Sequence, residues 1–428
     1  MILKEVKRLI TSGGLDKKLS ELYGEDKIMS ARTRYLNSVE GFEKLYDSNR
    51  DIHIFSVSGR SELLGNHTDH NNGKVVAAAI DLDIISVASA CAGSVIRMTS
   101  EGSKEDCVDF DTYVFPQAEL HGTSASIIAG IVSAFKINGY SVGAFDAYTT
   151  SSVPQGAGLS SSAAFENTVG TILNYLYNNG SVDFIKLAKI SKYAENDFFG
   201  KPCGLMDQLA CASGGIVAID FEDSKSPSVE RIEFDLNKAG YALCIINTGS
   251  SHASLTADYA AISAEMKAVA EHFGKTKLRE ISKSDVLENI PALRESVGDR
   301  AIIRSIHFFD ENERVDEFAE AISNADIDGF LRCVNASGRS SFCYLQNVYS
   351  SQSVKTQGIS LALSLAEEYL KGKKAAVRVH GGGFAGTVQA FVPILYVDSF
   401  KASMNSIFGE GSCLVLRVRS QGAVEVIS

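Results

Sequence analysis

The sequence predicts a mixed α/β (α+β) protein of two domains. Three observations lead there. The chain of 428 residues is too long for one compact core. Strand-type alternation and helix-type spacing interleave along both halves instead of segregating. The segment "EDSKSPSVE" (222–230), charged, Ser-rich and broken by Pro227, is the best candidate for a boundary, dividing the chain into domains 1–228 and 229–428.

Residues 1–50 read as helical, polar and peripheral. Strand signals follow in "DIHIFSVSG" (51–59) and "KVVAAAIDLDIISVASA" (74–90). "TSASIIAGIVSAFKINGY" (123–140) has the spacing of a buried helix ended at Asn138-Gly139. "FDAYTTSSVP" (145–154) alternates like a strand and enters a Gly-rich turn, and "SAAFENTVGTILNYLYNNG" (162–180) reads as a helix stopped by Gly180. Beyond the boundary come a strand, "YALCIINTG" (241–249), and a helix, "LTADYAAISAEMKAVAEHFG" (255–274). "AAVRVHGGGFAGTVQAFVP" (375–393) reads strand, glycine turn, strand.

Composition narrows the function. A formal charge of −11 argues against nucleic-acid and anionic-membrane partners, since neither polyanion is drawn to such a surface. The eight cysteines form no CxxC pair, so the chain reads as a reduced, cytoplasmic protein. No signal peptide or transmembrane span is expected, and a monomer is the working expectation.

"VPQGAGLSSSAAFE" (153–166) carries the most chemistry. Gly156 and Gly158 let the backbone approach a ligand, and Ser160, Ser161 and Ser162 stand where the next helix starts. The free N–H groups and positive dipole end of a helix start suit a phosphate, and serine hydroxyls add contacts to phosphate oxygens or a magnesium ion. A simple serine N-cap is the plainer reading, but two spaced glycines followed by three serines exceed what a cap needs. The Gly-Lys-Ser/Thr ending of a Walker A loop is missing. "GNHTDHNNG" (65–73) places His67, Asp69 and His70 within four positions, either a metal site or a cluster built for hydrogen bonding. "GGGFAG" (381–386) satisfies G-x-G-x-x-G but leaves no room for a βαβαβ unit after it, so a tight turn is expected there.

"PQGAGLSSSAA" resembles the second motif of the GHMP small-molecule kinases, the family that includes galactokinase, homoserine kinase and mevalonate kinase. "GRSELLGNHTDHNNG" (59–73) resembles the galactokinase signature, usually G-R-x-N-L-I-G-E-H-T-D-Y-N-x-G. "AENDFFGKPCGLMDQ" (194–208) is similar to the segment with the catalytic aspartate, and "HGGGFAGTV" (380–388) to the third motif. The resemblance implies the two-domain GHMP kinase fold with its active site in the interdomain cleft. It implies ATP as phosphoryl donor with Mg2+, and the anomeric hydroxyl of a sugar as acceptor.

By the same resemblance Asp207 is the catalytic base and Arg60 the cation beside it. Glu195 and Ser162 hold magnesium, with Glu166 the local rival of Glu195, and Gly156, Gly158, Ser160, Ser161 and Ser162 contact the nucleotide phosphates. His67 and Asp69 grip sugar hydroxyls, Gly204 lies against the sugar, and Tyr259 in "SHASLTADY" contacts it. Asn66 stands where the signature has a glutamate that accepts from the C6 hydroxyl. Glu62, His70 and Lys74 also depart from the pattern, replacing an asparagine, a tyrosine and an apolar residue. The expected activity is phosphorylation of galactose at its anomeric oxygen. Alternatives are a kinase for galacturonate or another galactose derivative altered at C6, and a non-catalytic sensor of sugar and ATP.

Overall fold

The computed structural model describes residues 1–46, 49–113, 115–250, 255–352 and 354–428, with Thr256 described by its backbone alone. Residues 251–254, which precede Tyr259 in its motif, lie outside the described residues. In chain order the described strands are β1 (His53–Leu64), β2 (Lys74–Ala90), β3 (Val95–Ser100), β4 (Glu105–Asp109), β5 (Phe145–Ser151), β6 (Ile216–Asp220) and β7 (Ser228–Ile232). They continue with β8 (Tyr241–Asn247), β9 (Ala376–His380), β10 (Thr387–Pro393), β11 (Cys413–Leu416) and β12 (Ala423–Ile427).

Among the described residues two sheets organise the fold. The larger runs β12-β1-β2-β5-β3-β4, and β6 and β7 extend it beside the first half of β2. All its pairs are antiparallel except β3 with β5. The smaller sheet, β11-β8-β10-β9, is antiparallel throughout.

The alternation of β1 and β2 explains how the larger sheet is covered. Successive side chains face opposite ways, so Phe55 and Ala88 join one core while Ile54, Ile85 and Val87 join another. The first core lies under the helices Ser124–Ile137, Ser161–Asn178 and Phe184–Tyr193. The second lies under the N-terminal helices Leu3–Thr11, Asp16–Tyr23 and Ile28–Leu45. Residues 1–50 are therefore integral, against the expectation of a peripheral segment: Val6, Ile10, Leu19, Tyr35, Val39 and Phe42 are fully buried. Buried Asp83 on β2 ties the N-terminal helices to the larger sheet, accepting from Tyr23 Oη at 2.5 Å, Arg34 at 2.6 Å and Arg419 at 3.2 Å. Burial alone would raise the pKa of Asp83, but the two guanidiniums hold it below the ordinary value.

A third core spans the two sheets. Leu63, Leu64, Val76 and Ile80 of the larger sheet meet Leu243, Ile245 and Phe391 of the smaller one, together with Phe318 and Phe330 from the helices Asp299–Ser323 and Ile327–Ser340. The division at 228/229 needs correcting. β7 begins at the expected boundary yet pairs with β6 in the larger sheet, and β12 returns from the chain's end to pair with β1. Strand pairing therefore assigns residues 228–232 and 423–427 to the first unit.

Candidate active site

Arg60 is aimed by irregularities in its own strand. The β1–β2 register shifts between Ser58 and Arg60 and again between Glu62 and Leu64, so bulges flank the Arg60–Glu62 stretch. Bulges re-aim side chains at sheet rims. Arg60 donates Nε to Asp207 Oδ1 at 2.9 Å and Nη2 to the same oxygen at 2.7 Å, while Nη1 donates to the Gly158 carbonyl. Ser160 Oγ donates to the other carboxylate oxygen of Asp207 at 2.6 Å. Burial would push the pKa of Asp207 up, but Arg60 and the Ser160 hydroxyl outweigh it and keep the carboxylate ionised.

The glycine-serine turn takes the geometry expected of it. Gly156 and Gly158 have φ of 73° and 67°, and Ser160 shares the left-handed region at 60°. The helix Ser161–Asn178 starts without a side-chain cap on its first N–H groups, which remain open to a ligand. Ser160 departs from expectation: its hydroxyl engages Asp207 and not the helix end.

Two cavities meet here. One of about 560 Å³ is lined by Gly156, Gly158, Lys201, Tyr259 and the 380–387 turn. The other, about 800 Å³, is lined by Ser161, Ser162, Glu166, Glu195 and Lys201, with residues from β3 and β5. Lys201 borders both, and sequence reading missed it. Glu195 sits in a π-helical turn, Ala194–Phe198, and accepts from Lys201 Nζ at 2.8 Å and from Gln208 Nε2 at 2.9 Å. Gln208 Nε2 also donates to Glu166 at 3.0 Å. Burial first, then the neighbouring Glu195 charge, raises the pKa of Glu166 to about 8. Glu166 Oε1 is buried without a partner. A hydroxyl, buried carboxylate oxygens and an unmatched acceptor fit a hard divalent cation, with Ser162 and Glu195 as holders.

The clasp loop 65–73 packs against the glycine turn that lines the 560 Å³ cavity. Three of the carbonyls in its opposing glycine turn are bound by clasp-side residues. Asn66 Nδ2 donates to the Gly381 carbonyl at 2.6 Å, His67 Nε2 to Gly382 at 2.9 Å and Tyr259 Oη to Gly383 at 2.7 Å. Burial keeps both clasp imidazoles neutral, lowering His67 to about 4 and His70 to about 3. With Nε2 donating, His67 presents Nδ1 as an acceptor. Asp69 faces Gly204, where an added Cβ would stand 2.5 Å from Asp69 Oδ2. Its pKa is raised by burial and then by the Asp207 charge, so the two carboxylates sense each other across the site.

Asn66 is the main correction. Its side chain was expected to meet a sugar, yet it is buried and fully engaged within the protein. Besides Gly381 it donates to Glu62 Oε1 at 3.2 Å, and its oxygen accepts from Asn347 at 2.7 Å and Ser341 at 3.4 Å. An amide has two donors and two acceptor positions, and all four are taken. The other departures have local reasons. Glu62 pairs with buried Arg378 at 2.9 Å, and Lys74 pairs with Asp316 at 2.6 Å. His70 Nδ1 accepts from Asn71 at 2.8 Å.

Helix Asp299–Ser323 carries a support that sequence reading missed. Glu311 accepts from the backbone N–H groups of Gly65 at 3.1 Å and Asn66 at 3.3 Å, and His307 Nε2 donates to the Asn66 carbonyl at 2.9 Å. Burial opposes ionisation of Glu311, but His307, Arg314 and Arg378 hold its pKa down at about 2. Among the described residues no helix is long and apolar enough to cross a membrane.

Comparison with known proteins agrees with this geometry. Residues 126–215 match the GHMP kinases N terminal domain, and residues 40–90 match the galactokinase galactose-binding signature. Lactococcus lactis galactokinase, solved in complex with galactose, superposes with a TM-score of 0.75 at 23% identity, over 92% of this chain and 100% of that one. Methanococcus jannaschii mevalonate kinase superposes at 0.60 with 13% identity, over 87% and 99%. A D-glycero-D-manno-heptose 1-phosphate kinase from Bacteriodes thetaiotaomicron does so at 0.58 with 13% identity, over 88% and 98%. At these identities the structural likeness is one of fold, while the two sequence matches fall on the clasp and on the turn that the structure brings together. The chain therefore has the fold of the GHMP kinases, and two of its segments match the GHMP kinases N terminal domain and the galactokinase galactose-binding signature.

Proposed function

We propose that the chain is an ATP-dependent sugar 1-kinase with galactose as its nearest substrate. The observation that carries this reading is the Asp207 carboxylate, fixed by Arg60 and Ser160 between the phosphate-type turn and the clasp. The anomeric oxygen of the sugar attacks the γ-phosphorus, the bond to the β,γ-bridging oxygen breaks, ADP leaves and Asp207 takes the hydroxyl proton. A carboxylate held this firmly ionised is a weak base. That suits a loose phosphoryl transfer, in which the nucleophile sheds its proton late and positioning does most of the work. Arg60 steadies the charge on Asp207 throughout.

His67 Nδ1 and the Asp69 carboxylate bind sugar hydroxyls, Gly204 leaves room for the ring, and Tyr259 closes the wall. Gly156, Gly158, Ser161 and Ser162 take the phosphates, and Lys201, which borders both cavities, joins them. Mg2+, held by Ser162 and Glu195, would neutralise phosphate charge. A non-catalytic sensor has no use for an Asp207 so carefully kept ionised.

One observation favours a second substrate reading. The carboxylate of this signature pair stands at position 62, sealed against Arg378, and position 66 is neutral. The glutamate that the signature places at position 66 is absent and the amide there is engaged within the protein, so a sugar carrying a C6 carboxylate, such as galacturonate, is not repelled by a carboxylate from that position. Rates with ATP and galactose, galacturonate, N-acetylgalactosamine, glucose or arabinose test both readings. Turnover of galactose supports the first and turnover of galacturonate alone the second, whereas no turnover of any sugar refutes the kinase reading.

A further inference from the structure

The cavity lined by Ser162, Glu195 and Lys201 holds a second buried carboxylate that the phosphate turn does not account for. Glu166 follows Ser162 by four residues in the helix Ser161–Asn178, so the two side chains share a face and line the same cavity. Glu166 is fully buried. Its Oε2 and the Oε2 of Glu195 both accept from Gln208 Nε2, at 3.0 and 2.9 Å, so the two carboxylates meet on one nitrogen.

The hydrogen-bond accounting does not close. Glu166 Oε1 and Gln208 Oε1 are both buried and both without a partner. The nearby ammonium of Lys201 bonds Glu195 Oε1 at 2.8 Å and is largely exposed. Leaving buried acceptors unmatched costs stability, and native proteins seldom tolerate it without reason. Two orphaned acceptors beside a pair of carboxylates match what a hard divalent cation completes with oxygen ligands.

We propose that Glu166 is a ligand of the divalent cation, alongside Glu195 and Ser162, and that Gln208 braces the carboxylate pair. This rests on the kinase reading only for the identity of the cation as the nucleotide's Mg2+. Three protein oxygens still leave half an octahedron for phosphate oxygens and water. The proposal makes Glu166 a partner of Glu195, where a purely structural role would leave cation affinity untouched by a change at 166.

Mn2+ serves as the probe, its free fraction read by electron paramagnetic resonance, with and without a non-hydrolysable ATP analogue. Glu166→Gln is expected to weaken Mn2+ binding at least about tenfold, as Glu195→Gln does, with wild-type circular dichroism and Tm. Glu166→Asp retracts the carboxylate by one methylene and is expected to weaken binding severalfold, and it carries the test alone should the glutamine variant not fold. Wild-type affinity in the folded Glu166 variants, with affinity lost in Glu195→Gln, overturns the proposal. The readout involves no sugar and no turnover. A loss of Mn2+ affinity therefore stands even where no sugar is phosphorylated, and sugar phosphorylation stands even where Glu166→Gln binds Mn2+ normally.

Discussion

Gly204→Ala isolates the clasp with a single methyl group. The added Cβ would sit 2.5 Å from Asp69 Oδ2, whereas ordinary contact begins at 3.4 Å. Gly204 lies outside the left-handed region, so alanine brings no backbone strain there. The atom it meets ends a side chain, so the carboxylate retreats by about 1 Å and the fold survives. A retreat of that size breaks a charge-assisted hydrogen bond to a sugar hydroxyl, worth ~1.5–3 kcal/mol. At 1.4 kcal/mol per tenfold, sugar affinity falls by roughly 10–100-fold. Titration calorimetry with the sugar, steady-state KM for sugar and for ATP, and Tm together make the assay. We expect a weakened sugar response with ATP KM and Tm near wild type. Wild-type sugar affinity in Gly204→Ala would remove Asp69 from the sugar site and refute the placement.

Three more outcomes follow from the same geometry. Asn66→Glu places a second carboxylate against Glu62 in a buried site, which should lower Tm with every sugar, and Glu62→Asn added to it should recover part of the loss; an unchanged Tm in the single variant contradicts the sealed position of Asn66. Ser160→Ala removes a hydrogen bond that favours ionised Asp207, so the acid limb of the pH–rate profile should move to higher pH, and an unmoved limb separates Ser160 from the base. Partly buried His67 and His70, lowered to about 4 and about 3, refuse protons that the unfolded chain accepts below pH 6.5. Stability should therefore fall as pH drops from 6.5 toward 4, by up to about 3 kcal/mol for His67 alone, and His67→Gln should flatten the Tm profile in that range.

Local signals in the sequence carried the elements of the site, and distant contacts decided their roles. The strand signal of 74–90 and the helix start at Ser161 depend on neighbours in sequence and were legible. Asn66 was misread because its partners Asn347 and Gly381 come from the far half of the chain, where no local pattern announces them. Glu311 and His307 were missed for the same reason; the available signal was a histidine and a glutamate on one face of a helix that also buries Phe308 and Val315. The N-terminal helices were read as polar from composition, although Val6 and Ile10 already stand four apart as a buried stripe would. The swap of carboxylate and amide between positions 62 and 66 was visible as two separate departures. Only the Asn66–Glu62 hydrogen bond and the Arg378 pair show them to be one exchange.

The central claim is that Asp207 accepts a proton from the anomeric hydroxyl as phosphate moves onto that oxygen. Phosphorus NMR of the product, collected for wild type and Asp207→Asn with ATP and the best sugar of the panel, tests it most directly. The account predicts a sugar 1-phosphate from wild type. From Asp207→Asn it predicts formation slowed ~10²–10⁴-fold, while the variant still binds sugar and nucleotide. Phosphate on another hydroxyl, or near-wild-type turnover by Asp207→Asn, would contradict it.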